Sequence, residues 1–299
     1  MHLCTFRSKE EAQKKERIGF VKDGKVFEPV EELAIMDYLR TKNRAPLKLS
    51  NDHHQLKDVV ICAPISRPGK IIAAIVNTRG MLGGDDMSLD RPRLDMKVPS
   101  TVIGPREEIR APPSGIRPEV ELAAVIGKGV TSATPEEARK SIFGYTILND
   151  VTAPADSKSD AYEAYRRDKA SGDIRKMTMR GPLFRSKNHD TFCPIGPWVA
   201  TADDLDPSAG LAMTARFRGT PVQEGSTAEY LFKPWEIVSY VSGFLSLEPG
   251  DIISCGSVGW TQEALKGLDP TEYVLPSGRG DLDLEIAGIG TLSNPVVPA

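Results

Sequence analysis

The chain has 299 residues, of which 40% are hydrophobic and 26% are charged, and its formal net charge is −3. This length and apolar content suffice for one large domain with a full hydrophobic core plus a small one. The slightly acidic charge balance gives no overall attraction to nucleic acid or to anionic lipid, and no apolar run reaches the roughly eighteen residues that cross a bilayer. We therefore expect neither a nucleic-acid nor a membrane partner.

The first 65 residues have a pattern of their own. The run R-I-G-F-V-K-D-G-K-V-F-E-P-V alternates around Asp23 and Gly24, which is typical of a hairpin with a two-residue turn. A short helical segment, E-E-L-A-I-M-D-Y-L-R, follows, and His53 and His54 lie in a polar stretch that predicts a solvated loop. The sequence thus predicts a small β-rich N-terminal domain over residues 1–65 and a catalytic domain over residues 66–299.

The cysteines and the N-terminus bear on the compartment. Cys4, Cys62, Cys193 and Cys255 are far apart and form no C-x-x-C pair, which indicates reduced thiols. The first seventeen residues are too charged for a secretory signal. We expect a cytoplasmic protein.

Three carboxylates have a spacing that suits a divalent metal ion. Glu119 and Glu121 lie in P-E-V-E-L-A-A-V-I-G-K, whose β-branched centre and following turn predict a strand, so both side chains point to one face. Asp150 closes a second strand-like run, F-G-Y-T-I-L-N-D. Oxygen donors without His or Cys suit Mg2+, Mn2+ or Ca2+ and not Zn2+. The alternative is that the glutamates line the wet face of an edge strand.

Two helices and a closing hairpin are predicted among many short strands. Thr134 begins a capping box with proline at the first helical position, so a helix starts there and ends before Phe143. A second helix is predicted from Pro234 to about Leu247, and the alternating run D-L-D-L-E-I-A-G-I-G-T-L predicts a hairpin. This mixture indicates an α+β fold.

Six segments between Lys97 and Val297 resemble the fumarylacetoacetate hydrolase family. In order they are K-V-P-S-T-V-I-G-P, P-E-V-E-L-A-A-V-I-G-K, G-Y-T-I-L-N-D-V-T-A, K-N-H-D-T-F-C-P-I-G-P-W, L-E-P-G-D-I-I-S-C-G-S and I-A-G-I-G-T-L-S-N-P-V. The resemblance implies a mixed β-sandwich roll with a small N-terminal cap domain, assembled as a homodimer or higher homo-oligomer. It also implies a small carboxylate substrate and a Mg2+ ion, or Mn2+ or Ca2+, held by Glu119, Glu121 and Asp150.

The same resemblance implies roles for further residues. Lys187 matches an active-site lysine, which could hold an oxyanion as an ammonium or act as a base when deprotonated. Asp190 is the second predicted catalytic residue: it could accept a hydrogen bond from Lys187 or from a metal-bound water, or only cap a turn. His189 could carry protons, but packing in an aromatic slot is the preferred interpretation. Ser257 stands where relatives carry a threonine that binds a substrate carboxylate. Lys97 is either structural or a cation beside the site.

The chain departs from the family at the position of its lid. Hydrolytic members carry a His and a Glu that activate water, and here Met81 and Gly84 stand at those positions, although Asn77 is kept. Because methionine cannot carry protons, the usual general base is missing. Three acidic residues are candidates to replace it: Asp85, Asp86 and Glu163.

A second departure follows Asp150. Pro154 replaces an arginine, and eight basic residues then lie between Arg166 and Lys187. This stretch could be a lid that binds a di-anionic substrate or a solvated surface. As a lid, the stretch would bind the substrate through four arginines: Arg166, Arg167, Arg175 and Arg180. Of these, Arg180 is a predicted substrate-binding residue.

The resemblance implies a metal-dependent enzyme acting on a small 2-oxo or β-diketo acid. Hydrolytic C–C bond cleavage through a metal-stabilised enolate is the leading reaction. Decarboxylation, tautomerisation or isomerisation, and dehydration are alternatives, because each needs the enolate but not the water-activating pair. An alternative of another class is a catalytically silent relative that binds metal or ligand.

Overall fold

The computed structural model describes residues 2–9, 15–31, 33–41, 47–83 and 87–299. Strands dominate these residues, and the helices are short. None of the helices in the described part is long and apolar enough to cross a membrane.

The strands share modest lengths, from two to nine residues. In chain order they are β1 (His2–Ser8), β2 (Arg17–Lys22), β3 (Lys25–Pro29), β4 (Leu49–Gln55), β5 (Val59–Cys62), β6 (Ile71–Ala74), β7 (Leu94–Lys97), β8 (Val102–Ile103), β9 (Ile109–Ala111), β10 (Val120–Ile126), β11 (Ile142–Asn149), β12 (Tyr162–Arg167), β13 (Ile174–Met179), β14 (Cys193–Thr201), β15 (Ala212–Phe217), β16 (Thr220–Ser226), β17 (Ile252–Ser257), β18 (Gly280–Ile286) and β19 (Gly290–Pro298). The α-helices are α1 (Ile35–Arg40), α2 (Arg79–Leu82), α3 (Pro135–Ser141), α4 (Pro154–Ser159), α5 (Phe184–Lys187), α6 (Pro234–Ser242) and α7 (Gln262–Leu265).

Two sheets form a sandwich. The large sheet has the order β4-β3-β2-β1-β14-β11-β10-β17-β6-β7, with β5 added on β1 and β8 on β14. The smaller sheet has the order β16-β15-β18-β19-β9, and β12 and β13 form a separate hairpin. This arrangement confirms the predicted α+β class and the mixed β-sandwich.

The central strand β10 contributes to a core on each of its faces. Leu122 and Ala124 pack in the larger cluster together with Met213 and Leu284 of the smaller sheet. Ala123, on the opposite face, packs in a second cluster with residues of the N-terminal segment. Because successive strand residues point to opposite faces, a strand buried on both sides is apolar almost throughout. A charged side chain on this strand therefore needs partners.

The N-terminal segment joins the same large sheet. Strand β1 pairs with β14 at Leu3 and Val199. Asp23 and Gly24, with φ of 50° and 71°, form the predicted two-residue turn between β2 and β3. The predicted division at residue 65 thus separates two parts of one continuous sheet.

The prediction of a solvated loop around His53 and His54 is wrong. Both residues lie on β4, paired in register with β3. The His54 Nε2 atom lies 2.6 Å from a carboxylate oxygen of Glu28. The polar composition of this stretch reflects an outermost strand, where both faces meet water.

The helix predictions differ in accuracy at their ends. The capping box at Thr134 is formed, and α3 ends before Phe143 as predicted. Helix α6 starts at Pro234 but ends at Ser242, about one turn earlier than predicted. Leu245, which lies beyond this end, is 37% exposed.

The β12–β13 hairpin is fixed to α4 at its base. A Cβ atom on Gly181 would lie 2.6 Å from the Ser157 carbonyl oxygen, so the backbone there approaches α4 closely. Arg185 forms ion pairs with Asp156 and Asp160 at 3.2 and 2.6 Å. The chain that follows the hairpin is therefore held against α4, beside the residues described next.

Candidate metal and substrate site

The structure brings the three predicted carboxylates together. One oxygen each from Glu119, Glu121 and Asp150 lie within 4.8 Å of one another, and all three residues are at most 3% exposed. The alternative of a wet edge strand is wrong, because β10 lies between β11 and β17 in the middle of the sheet.

Strand register explains why the carboxylates converge. Val120 is paired with Asn149, so Glu119 and Asp150 face each other where the two strands separate. The Asp150 amide donates to the Glu119 carbonyl at 3.0 Å, and the Glu119 amide donates to the Asn149 side-chain oxygen at 3.1 Å. These bonds fix the backbone beneath the carboxylates.

Lys187 supplies the nearest positive charge. Its Nζ atom donates to Glu119 and to Asp150, each at 2.6 Å. Burial disfavours the charged ammonium, but the carboxylates of Asp150, Glu119 and Glu121 outweigh burial and raise the pKa of Lys187. Of the two predicted roles, the geometry favours a fixed cation over a base.

Lys97 is a second buried cation at the site. Its Nζ atom lies 2.9 Å from Asp150 and donates to the Val151 carbonyl at 3.1 Å and to the Lys187 carbonyl. Burial alone would raise the pKa of Asp150, but Lys187 and Lys97 lower it to about 2. Lys97 therefore acts both as a structural link and as a neighbouring charge.

Glu121 is hydrogen-bonded to the neighbouring strand β17. One of its oxygens accepts hydrogen bonds from the Ser254 hydroxyl and from the Gly256 amide, the latter at 3.2 Å. Burial and the charges of Asp150 and Glu119 raise the pKa of Glu121 well above its usual value. The cluster thus disfavours a third negative charge unless a further cation is present.

The donor set fits a hard divalent cation. Carboxylate oxygens are the ligands that Mg2+, Mn2+ and Ca2+ prefer, and three of them converge here. The two oxygens of Asp150 already lie 2.9 Å from Lys97 Nζ and 2.6 Å from Lys187 Nζ, whereas burial and the neighbouring carboxylates raise the pKa of Glu121. A divalent cation between the three carboxylates would supply the positive charge that Glu121 lacks.

A cavity of about 1060 Å3 opens onto this cluster. Glu119, Lys187 and Arg117 line it, and the Arg117 guanidinium donates a hydrogen bond to Glu119 at 3.1 Å. Apolar side chains form much of the wall, including Met81 and Trp260. A few charged groups in a mostly apolar cavity are typical of a site for a small ligand.

Ser257 lies beneath this cavity and does not line it. Its hydroxyl accepts a hydrogen bond from the Gln223 side-chain nitrogen at 2.9 Å, and Gln223 also accepts from the Val120 amide at 3.0 Å. The hydroxyl therefore helps to position β10. Its predicted contact with a substrate carboxylate stays a prediction.

Helix α2 occupies the place predicted for a lid and is only four residues long. Met81 is half-buried and lines the cavity, so no proton carrier stands at that position. Asn77 has a structural role, because its amide nitrogen donates to the Cys255 and Phe232 carbonyls at 2.7 and 2.9 Å. The candidate bases Asp85 and Asp86, like Gly84, lie outside the described residues.

The other predicted site residues separate into two groups. Arg180 lines the cavity, whereas Asp190 is exposed and does not line it. Glu163 pairs with Lys176 on the hairpin and is also absent from the cavity wall. His189 contacts Phe192 with ring centroids 4.8 Å apart, and its Nε2 atom lies 2.5 Å from a carboxylate oxygen of Asp156.

Three supporting residues escaped the sequence prediction: Arg117, Gln223 and Ser254. Arg117 could have been found, because a residue two positions before Glu119 tends to share its face. Gln223 and Ser254 come from other strands, and no local pattern links them to the glutamates.

Comparison with known proteins identifies the class. The family model "Fumarylacetoacetate (FAA) hydrolase C-terminal" matches residues 39–297, so the chain belongs to this family. It is 30% identical to 2,4-didehydro-3-deoxy-L-rhamnonate hydrolase of Sphingomonas sp. (strain SKA58), covering 76% of this chain and 73% of that protein. It is also 30% identical to oxaloacetate tautomerase YisK of Bacillus subtilis (strain 168), covering 83% and 77%.

The solved structures agree with this assignment. The crystal structure of 5-carboxymethyl-2-hydroxymuconate delta-isomerase from Mycobacterium smegmatis superimposes with a TM-score of 0.76 at 27% identity, covering 100% of both chains. Members of the family with related sequences thus include hydrolases, isomerases and tautomerases that act on small acids.

Proposed function

We propose that this protein is a metal-dependent enzyme that enolises a small 2-oxo acid, acting as a tautomerase or isomerase. The observation that carries the proposal is the cluster of three buried carboxylates, of which Glu119 lines the cavity. The same cavity is lined by Met81 of the short helix α2, where a proton carrier would be needed for hydrolysis. Enolisation needs stabilisation of one developing negative charge and does not need an activated water.

Glu119, Glu121 and Asp150 are the residues that would hold the metal ion. A divalent cation bound there supplies Lewis-acid polarisation of the 2-oxo group and stabilises enolate charge. Mg2+ is the proposed ion, with Mn2+ and Ca2+ as alternatives of the same ligand preference. The Ser254 hydroxyl and the Gly256 amide orient Glu121 for this role.

Lys187 would contribute a permanent positive charge at the reacting end of the substrate. Its ammonium is held by two carboxylates and by the backbone bond from its amide to the Leu183 carbonyl at 3.0 Å. A preorganised cation stabilises an oxyanion without having to reorganise during the reaction. Lys97 keeps Asp150 and the Lys187 backbone in place.

Hydrolytic C–C cleavage is the second candidate function. The Sphingomonas relative is a hydrolase, and the cavity has room for water as well as for a small acid. This reaction would need a water-activating group other than Met81. The tautomerase relative, which covers more of this chain, favours the simpler reaction.

Proton exchange at C3 of oxaloacetate tests the proposed function. We expect the protein to accelerate exchange in deuterated buffer with Mg2+, measured by NMR against a metal-only background, and chelation by EDTA to remove the acceleration. Ligand-induced thermal stabilisation without exchange for oxaloacetate or pyruvate would instead support a catalytically silent relative.

Arg180 is proposed to bind a second carboxylate of the substrate. It lines the cavity and forms no ion pair with the described residues, whereas Lys158 on the same wall pairs with Glu272. We expect Arg180→Ala to raise the KM for oxaloacetate by about tenfold or more, since a hydrogen bond to a charged group contributes about 1.5–3 kcal/mol. The KM for pyruvate, which has one carboxylate, should not change.

The matched control is Arg166→Ala. Arg166 lies on β12, in the hairpin that ends directly before Arg180. Its guanidinium donates to the Tyr165 carbonyl at 2.9 Å, and it does not line the cavity. An equal rise in KM for both substrates, or the same effect in Arg166→Ala, would contradict the assignment of Arg180.

A further inference from the structure

Enolisation needs a group that takes a proton from C3 of the substrate. Among the described residues, three carboxylates outside the metal cluster line the cavity. They are Glu224, Glu229 and Asp269. Asp269 is engaged by the Thr271 amide and hydroxyl at 2.7 and 2.5 Å, which lower its pKa and make it a poor proton acceptor. Glu224 is exposed on β16, and its side chain has no described partner that would fix its position.

A hydrogen bond to one carboxylate oxygen of Glu229 fixes its orientation, and the other oxygen remains available to a substrate. It ends the turn of 3-10 helix Thr227–Glu229, where Ser226 and Glu229 form a capping box. The Ser226 amide donates to Oε1 of Glu229 at 2.9 Å. Oε2 accepts no hydrogen bond from the described residues. It lies beside α2, where a Cβ atom on Gly80 would be 3.5 Å away.

A short series of contacts links Glu229 to the metal cluster. Glu121 is paired with Ser257 in the sheet, and the Ser257 carbonyl accepts a hydrogen bond from the Thr78 hydroxyl at 2.7 Å. Thr78 forms an isolated bridge with Tyr230, the neighbour of Glu229. Paired strand residues lie about 5 Å apart. Glu229, Glu119 and Lys187 also line the same cavity, so a small acid bound there would lie among all three.

We propose that Glu229 is the proton-transfer residue that serves in place of the missing lid pair, an inference that rests on the proposed function. Oε2 of Glu229 takes the proton from C3 of the 2-oxo acid. The C3–H electron pair forms the C2–C3 double bond, and the 2-oxo oxygen becomes an enolate. Glu229 then gives its proton to water, and the enolate oxygen takes a proton from water, so that the side chain ends as a carboxylate.

Glu229→Gln tests this role with little structural change, because glutamine also serves in a capping box. We expect the kcat of Mg2+-dependent enolisation to fall by about 10²–10⁴, the usual contribution of a general base. The KM for oxaloacetate and the Kd for oxalate, a non-enolisable mimic measured calorimetrically with Mg2+, should stay at the wild-type values.

The matched control is Glu137→Gln. Glu137 occupies the equivalent position in the Thr134 capping box of α3, where it is exposed. This variant should keep wild-type kcat and show the same small change in Tm as Glu229→Gln. Glu224→Gln, which alters an exposed carboxylate of the same cavity, should also keep its kcat.

Four outcomes would overturn the proposal. A wild-type kcat in Glu229→Gln would show that Glu229 is not the proton-transfer residue. Loss of kcat in Glu224→Gln alone would show that Glu224 is that residue. A fall in kcat together with weaker oxalate binding, or with a larger loss of Tm than in Glu137→Gln, would indicate a structural role. If the wild type catalyses no Mg2+-dependent enolisation, the proposed function fails and the role of Glu229 fails with it.

Discussion

Glu121→Gln is expected to lower the affinity for Mg2+ by about a thousandfold and to abolish metal-dependent proton exchange. Two unit charges 4 Å apart attract by about 4 kcal/mol at an effective dielectric constant near 20, which corresponds to about three powers of ten. Glutamine keeps the size of Glu121 and one oxygen for the bonds from Ser254 and Gly256. The loss of Mg2+ affinity would therefore result from the missing negative charge and not from a change in shape.

The same variant should not destabilise the metal-free protein. Because the folded-state pKa of Glu121 is raised, the ionised side chain opposes folding, and its contribution becomes more unfavourable as the pH rises above its ordinary value of 4.5. A neutral amide removes that cost. At pH 7 we expect metal-free Glu121→Gln to unfold in urea at the wild-type midpoint or above it.

Calorimetric titration with Mg2+ and urea unfolding check the two expectations. Glu163→Gln is the control, because Glu163 is an exposed glutamate on the hairpin paired with Lys176. Wild-type Mg2+ affinity in Glu121→Gln would exclude Glu121 as a ligand. A large loss of metal-free stability would show that its hydrogen bonds outweigh its buried charge.

Lys187→Met is expected to have opposite effects on stability and on metal binding. Its ammonium contacts Glu119 and Asp150 at 2.6 Å each, and removing one partner of a buried ion pair costs about 3–5 kcal/mol. The metal-free variant should thus be much less stable than the wild type. Mg2+ should bind more tightly to it, because no ammonium competes for the carboxylates.

Activity should nevertheless be lost in Lys187→Met even at saturating Mg2+. Removing one preorganised group that stabilises developing charge usually lowers kcat by about 10²–10³. Lys176→Met is the control, because Lys176 is an exposed lysine paired with Glu163. Weaker Mg2+ binding in Lys187→Met would indicate that Lys187 orients the ligands more than it repels the ion.

Local patterns in the sequence predicted much of the fold. The alternation around Asp23 and Gly24 and the capping box at Thr134 each depend on a few neighbouring residues, and both appear as predicted. The end of α6 did not follow its pattern. Apolar spacing continued past Ser242, but Gly243 and the hydrogen bond of the Leu247 amide to the Val130 carbonyl redirect the chain.

The sequence predicted the metal-ligand residues of the site, but it did not predict the cavity around them. Glu119 and Glu121 share a face through strand periodicity, and Asp150 closes the next strand-like run. The family resemblance added Lys187. The cavity depends instead on contacts between distant segments, such as the bond from Thr78 to the Ser257 carbonyl. Glu229 therefore looked like an ordinary capping residue, and only its position beside α2 in the folded chain distinguishes it.

The pairing of β1 with β14 has a consequence for solubility. Val199 and Ala200 of β14 are covered by Leu3 and His2, and α1 covers the apolar face that includes Ile195 and Leu148. Without the N-terminal strands, β14 would present unpaired backbone groups next to an apolar surface, which is the combination that promotes edge-to-edge aggregation. A segment without catalytic groups thus protects the sheet that carries the chemistry.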